Sequence, residues 1–455
     1  VIISNLRTSG MELCMHQKIK LRKNLNADSL FSLVLSDFEK IKDHRSNNTK
    51  ISLADALMSG FAMFSLKDPS LLAFEERLSE DTNLKPIYKI NNVPCDTQMR
   101  TILDEVDPVD IEPSFNHIFR NLQRGKVLEP MVFMNGCYLI SIDGTGYFSS
   151  NKIHCDSCCI KTNSKTGEIT YQHQMLGAVI VHPDVREVIP LAPEPIIKQD
   201  GETKNDSERN ASKRLLEKLR KTHPHLRLIV TEDGLSSNAP HILELKKHQM
   251  HYILGAKEGD HAFLFDYVES AVKNGLTTEI ENENDDIVHK FRFINQVPLN
   301  ASNQDVLVNF VEYWQITPKK TMHFSWVTDL HVTKGNVFKI MRGGRARWKI
   351  ENETFNTLKN QGYQFEHNFG HGKNNLSVVF AMLMMLAFLV DQTQQLACQL
   401  FQAVWGKLGS KRSLWEKMRS LFYGYKFDSM EDIFKALLYG FKMEYLVILE
   451  DPPPS

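Results

Sequence analysis

The sequence predicts an α/β fold: a mixed sheet flanked by helices, with a helical N-terminal domain, a β-rich insertion and a helical C-terminus. Three observations carry this. Up to about residue 125 the apolar residues recur at helical spacing. From residue 130 the spacing changes. Strand-like runs at 137–149, 169–182 and 186–192 lead into a helix at 207–221, a strand at 226–232, a helix near 240–248, a strand at 251–256 and a helix at 260–274. Between 276 and 340 alternating segments return, and the chain is then helical to its end.

Each element has a local reason. Asn26-Ala-Asp28 precedes a periodic segment, Leu30 to Ile41, and Ser52 precedes another, Leu53 to Phe64. Asp107 to Arg124 holds one or two more helices. The insertion is read from Ile287-Val-His-Lys-Phe-Arg-Phe-Ile294 and Val306-Leu-Val-Asn-Phe-Val-Glu-Tyr-Trp314. Boundaries are expected at 1–125 for the helical domain, 126–275 for the first part of the core and 276–340 for the insertion. The core resumes over 341–395, and a helical region covers 396–455.

At 455 residues the chain is long enough for two or three domains. Its 42% hydrophobic and 24% charged residues are ordinary for a soluble globular protein, and a net charge of −1 announces no class of partner. Local charge says more. From Lys319 to Lys349 eight lysines and arginines face one acid, Asp329, and a second basic stretch runs through Lys213, Arg214, Lys218, Arg220 and Lys221. The apolar run Val378 to Val390 is too short to span a bilayer and fits a buried helix. Seven cysteines, several of them clustered, do not resemble a secreted disulfide framework, and the opening Val1-Ile-Ile-Ser-Asn is unlike a signal peptide. A cytosolic protein is expected.

Three carboxylates stand out. Asp143 lies in Cys137-Tyr-Leu-Ile-Ser-Ile-Asp-Gly-Thr-Gly146, and Asp233 ends the strand-like run Leu226 to Gly234. Glu351 sits on a helix expected to run from Arg345 to Lys359. Hard divalent ions take carboxylate oxygens, and a paired-metal clamp stabilises both the attacking and the leaving oxygen of an in-line displacement. An Asp-Gly at a strand end is by itself usually a turn; the three acids in this order point to catalysis. Strand alternation sends Glu232 to the face opposite Asp233, and Glu353 lies about 200° round a helix from Glu351.

With these residues on these elements, the chain resembles bacterial insertion-sequence transposases of the DDE class. The group in question is the insertion sequence four type, whose core carries a β-rich insertion between the second aspartate and the glutamate. The resemblance runs from about residue 30 to 380, and the β-β-β-α-β-α-β-α order matches the ribonuclease H-like fold of that family. Its most specific pieces are Ile142-Asp-Gly-Thr-Gly146, Thr231-Glu-Asp-Gly234 and Arg345 to Lys359. The family marks its glutamate helix with a tyrosine, arginine, glutamate and lysine. Arg347 fills the arginine slot four before Glu351, whereas the tyrosine slot is Gly344 and the lysine slot is Leu358, with Lys359 next to it. On a helix Lys359 lies about 80° from Glu351, within reach of a long side chain.

The resemblance implies metal-dependent cleavage and strand transfer of DNA at insertion-sequence ends. Mg²⁺, for which Mn²⁺ substitutes, would be held by Asp143, Asp233 and Glu351, and Arg347 and Lys359 would hold DNA phosphates. It also implies double-stranded DNA as partner, a homodimer on paired ends, no membrane, and a cytoplasmic bacterial location, on the nucleoid when DNA is bound. The helices of 1–125, beside Lys18, Lys20, Arg22 and Lys23, suit recognition of DNA ends or a purely structural cap. The alternatives are a ribonuclease H-like nuclease without strand transfer, or an inactive DNA-binding descendant.

Other constellations leave two readings each. His154-Cys155-Asp-Ser-Cys158-Cys159, with His173 on the following strand, has the spacing of a structural zinc site of His154, Cys155, Cys158 and His173, or holds reduced thiols in a turn. Trp314 and Trp326 are candidates for stacking on an extruded base, or for core positions in alternating strands. Asp206 is a helix cap, or one of several acids near the metals. His367 and His371 lie in a loop after the glutamate helix, near DNA or metal or in ordinary loop contacts.

Overall fold

The structure, a computed structural model, describes residues 22–46, 49–78, 82–198, 208–284 and 286–440. Lys18, Lys20, Asp206 and the residues at the two chain ends lie outside the described residues, together with the expectations attached to them.

Capping sets the first helices. The Asn26 side chain accepts the Ser29 N–H and opens α1, Ala27–Phe38, while Ser52 accepts the Asp55 N–H at 3.0 Å and opens α2, Leu53–Leu66. The helices α3 (Leu71–Leu78), α4 (Leu84–Tyr88), α5 (Asp96–Asp104) and α6 (Glu112–Arg124) follow.

The sheet begins with β1 (Val132–Met134) and β2 (Cys137–Ser150), then β3 (Cys159–Thr162), β4 (Ile169–His182), β5 (Val185–Pro190) and β6 (Glu194–Ile196). β4 runs antiparallel to β2 and pairs with β3, β5 and β6 along its other edge. Beyond α7 (Glu208–Thr222), β7 (Leu228–Glu232) and β8 (His251–Gly255) lie parallel to β2, with α8 (Ala239–Lys247) between them in sequence. β7 is buried on both faces, which is why its Leu-Ile-Val-Thr run does not alternate.

After α9 (Ala262–Lys273) come β9 (Thr278–Asn284), β10 (Ile287–Asn300), β11 (Asn303–Ile316) and β12 (Thr321–Thr328). These are the strands expected of the insertion, but β12 pairs antiparallel with β8, so they extend the core sheet rather than forming one of their own.

The glutamate helix departs from expectation. The single helix from Arg345 to Lys359 is instead α10 (Val337–Arg345), a turn, a π-helical segment Ile350–Phe355, and α11 (Asn356–Asn360). Packing supplies the reason. A Cβ on Gly177 of β4 would lie 3.0 Å from the Phe355 ring and 3.5 Å from Ile350 Cδ1, so both side chains press on the same bare spot of the sheet. Residues five apart lie about 140° apart on an α-helix; the wider i→i+5 turn turns both toward the sheet.

α12 (Leu376–Ala397) contains the predicted buried run and is longer than it, at 22 residues. It is long and apolar enough to cross a membrane, yet its most apolar window is wholly inside the molecule, as in a core helix. The chain closes with α13 (Gln399–Leu408), α14 (Lys411–Gly424) and α15 (Met430–Tyr439). Helices from both ends pack on α12 and on one another. The Asp28 carboxylate of α1 accepts the N–H groups of Met430 and Glu431 at 2.8 and 3.1 Å and so caps α15.

Candidate active site

The parallel register brings the two aspartates together. Ser141 of β2 stands beside Thr231 of β7 where the pairing ends, so Asp143 and Asp233, each two residues further on, leave the same end of two neighbouring parallel strands. Asp233 closes β7 and accepts the Leu235 N–H at 3.0 Å, which fixes one of its oxygens. Asp143 pairs across β4 with Gly177, the bare position under the π-helical segment. That packing sets Glu351 down beside Asp143.

Arg347 joins them. Its Nη1 donates to Asp143 Oδ2 at 3.2 Å and to Glu351 Oε1 at 2.8 Å, and its carbonyl accepts the Ser141 hydroxyl at 3.0 Å. The segment is thereby tied to β2 two residues before the acid it serves. Burial raises the Asp143 carboxyl, Arg347 pulls it down and the adjacent Glu351 raises it again, leaving it at about 7. Two carboxylates share a confined space in which one guanidinium offsets only part of their repulsion. An all-oxygen donor set of this kind fits a hard divalent cation, whose charge would relieve that repulsion.

Glu208, at the start of α7, packs over Gly144, on the face of β2 opposite the Asp143 side chain, near the end of β7. A Cβ on Gly144 would lie 2.8 Å from its Cδ, so glycine after Asp143 is what leaves room for this carboxylate. Burial raises its pKa, and the charges of Asp233 and Glu232 raise it further. The acids around residue 206 were readable from sequence as neighbours of the metals, but nothing singled out Glu208. Glu232 itself is buried on the other face and bonded to His241.

The remaining sequence candidates fare differently. Lys359 pairs with Glu366 at 2.8 Å instead of reaching toward Glu351, and Leu358 in the lysine slot is core. Trp326 is buried, and its indole occupies the space over Gly344, the tyrosine slot: a Cβ there would lie 2.8 Å from Trp326 Cδ1. That correction removes Trp326 as an exposed stacking surface. Trp314 lies flat on His323, centroids 4.8 Å apart, with Arg292 over its ring. The aromatic that sequence reading missed is Trp348, 49% exposed and in contact with the Arg347 guanidinium at 4.8 Å. Its place directly after Arg347 was the available signal.

The basic stretches divide. Arg342 pairs with Asp184, Arg345 donates to Gln315 at 2.7 Å and Lys349 to the Val185 carbonyl at 2.8 Å. With Tyr313, Phe338 and Met341 they line an open cleft of about 320 Å³ beside the glutamate segment. On α7, Arg214 and Lys218 are tied down by Glu194 and Glu112.

Residues 188–389 match the family described as the transposase DDE domain. The matched stretch contains Asp233, Arg347 and Glu351 and leaves Asp143 outside. No curated protein matches the chain. Among solved structures, the NurA nuclease from Sulfolobus solfataricus is similar at 13% identity, over 52% of this chain and 82% of that one, with a TM-score of 0.21. An overlap that small carries no argument about the fold.

A second cluster corrects another expectation. Cys155, Cys158 and His173 converge, but the fourth member is His371, not His154. His154 is exposed and stacked on Tyr171, its Nδ1 3.3 Å from the Lys152 carbonyl. Sequence spacing favoured the neighbour in the chain; the fold brings in a residue more than two hundred positions away.

Proposed function

We propose that this chain is a DDE transposase of the insertion sequence four type that cuts and joins DNA at insertion-sequence ends. The observation that carries the proposal is the meeting of Asp143 and Glu351 at Arg347, with Asp233 at the end of the parallel strand next to β2. The match of residues 188–389 to the transposase DDE domain supports it. So does the strand order: β4 antiparallel to β2 and β5 antiparallel to β4 on one side, β7 and β8 parallel to β2 on the other, the order expected of a ribonuclease H-like core.

In this reading Asp143, Asp233 and Glu351 would hold two Mg²⁺, or Mn²⁺ in its place. Bound metal supplies an activated water or 3′-hydroxyl and stabilises the leaving oxygen. The chain's own contribution is placement. Arg347, shared between the two acids, would also offer its guanidinium to a phosphate oxygen of bound DNA. Trp348 offers an exposed face to an unpaired base beside the cut. Arg342, Arg345 and Lys349 line the neighbouring cleft with positive charge for the DNA backbone. Lys359 would join them after leaving Glu366. The protein would act as a homodimer on paired ends of double-stranded DNA, in the bacterial cytoplasm.

The test is incubation of the full chain with Mg²⁺ and duplex DNA carrying the sequence that flanks its own gene. The expected result is cuts at the element ends followed by joined products, both absent in Asp143→Asn. Cutting without joining would replace this reading with a nuclease; binding without cutting in Mg²⁺ or Mn²⁺ would leave a DNA-binding protein.

A further inference from the structure

We infer that Cys155, Cys158, His173 and His371 form a structural zinc site that pins the loop after Glu351 to the far end of the β2–β4 hairpin. This stands apart from the catalytic proposal. The geometry is specific. Tetrahedral zinc with bonds of about 2.3 Å to sulfur and about 2.0–2.1 Å to nitrogen sets its ligands about 3.8 Å apart for two sulfurs and about 3.5 Å for sulfur and nitrogen. Here the two Sγ atoms are 3.8 Å apart. His173 Nε2 is 3.4 Å from each sulfur, and His371 Nε2 is 3.3 Å from Cys158 Sγ. All four donor atoms lie within 4.8 Å of one another. A disulfide would need the sulfurs at about 2.05 Å.

The surroundings suit a closed site. His173 is fully buried and His371 is 6% exposed, so no position is left open for water in the manner of a catalytic zinc. Both imidazoles turn Nε2 toward the thiols, and both Nδ1 atoms are buried without a hydrogen-bond partner among the described residues. Phe148 packs against the His371 ring at 4.3 Å.

His371 reaches this place through a costly loop. Gly370 and Gly372 on either side have φ of 153° and 70°, conformations that other residues rarely adopt. Beyond them the Asp104 carboxylate accepts the N–H groups of Lys373, Asn374, Asn375 and Leu376, fixing the start of α12. Zinc would anchor the loop between that fixed point and the segment bearing Glu351. Along β2 the cluster sits about 16 Å from Asp143, five residues at about 3.3 Å each, too far to share its metals.

The test is metal analysis of the full chain purified under reducing conditions, followed by replacement with Co²⁺. About one zinc per chain is expected, with cobalt showing the intense visible bands of a tetrahedral site and thiolate charge transfer in the near ultraviolet. His154→Ala keeps the metal. His371→Ala weakens it by more than the 10–100-fold typical of losing a supporting group. His371→Cys retains four ligands and shifts the cobalt bands, so a folding failure of the alanine variant does not stand in for the answer. Reduced wild-type protein that takes up neither zinc nor cobalt overturns the inference. So does loss of metal in His154→Ala with retention in His371→Ala.

Discussion

Asp143 carries the chemistry of the site in its proton. Its carboxyl rises from 3.8 to about 7 on folding, first through burial and then through Glu351, against the pull of Arg347. Between about pH 4 and pH 7 the folded chain therefore holds a proton that the unfolded chain has lost. This group destabilises the metal-free fold progressively as pH rises through that window. A divalent ion must displace that proton below pH 7. Metal affinity should consequently rise about 5-fold from about pH 6 to pH 7, nearly double again by about pH 8 and level off above, with proton release at the lower pH visible by calorimetry in buffers of different ionisation enthalpy. A flat affinity would show that Asp143 is not a ligand. Trp348→Ala should weaken binding of a single-stranded DNA end by about 1–3 kcal/mol while leaving the melting temperature unchanged, measured by fluorescence titration and thermal unfolding. At this scale the meeting of Asp143, Arg347 and Glu351 was legible because each lies in a short local motif. Glu208, Trp348 and His371 were not, since each owes its position to tertiary contacts.

Elements show where helical geometry stops serving as a guide. Extrapolation at 100° per residue holds from Arg347 to Glu351 well enough to bring both to Asp143. It fails by Lys359, because the π-helical turn intervenes and the lysine ends on Glu366. The tyrosine slot is empty for a reason sequence alone does not reveal: β12 carries Trp326 into it. Gly344→Ala should overpack that contact and cost about 1–3 kcal/mol in denaturant unfolding. Trp326→Ala in the same chain should recover part of the loss, and strictly additive losses would contradict the contact. Strands and helices of the core were readable from periodicity within a residue or two. That β12 joins β8 was not, because alternation fixes which residues face inward and not which strand lies alongside.

Across the whole molecule a buried ion pair joins the early helix α2 to α12. Lys67, the left-handed cap of α2, donates to Asp391 of α12 and to the Ser65 carbonyl at 2.9 Å; its ammonium lies 4.0 Å from the Trp415 ring centre. Tyr363, on the loop after the glutamate segment, also donates to Asp391. Burial lowers the lysine pKa and raises that of the aspartate, so each depends on the other to stay charged. Asp391→Ala would strand the ammonium and should cost about 3–5 kcal/mol in equilibrium unfolding. A loss under 1 kcal/mol would show the pair to be dispensable. The helical ends were expected from sequence as separate regions; their common packing on α12 depends on contacts more than three hundred residues apart, such as Asn83 with Tyr425.

In the proposed reading Asp143, Asp233 and Glu351 act together as one divalent-metal site. Mn²⁺ binding to the full chain, followed by electron paramagnetic resonance of the free ion at about pH 8, tests it most directly. The wild type should bind Mn²⁺ in competition with Mg²⁺, and Asp143→Asn, Asp233→Asn and Glu351→Gln should each weaken that binding while His154→Ala does not. Equal binding by the wild type and all three carboxylate variants would show that these acids form no common metal site.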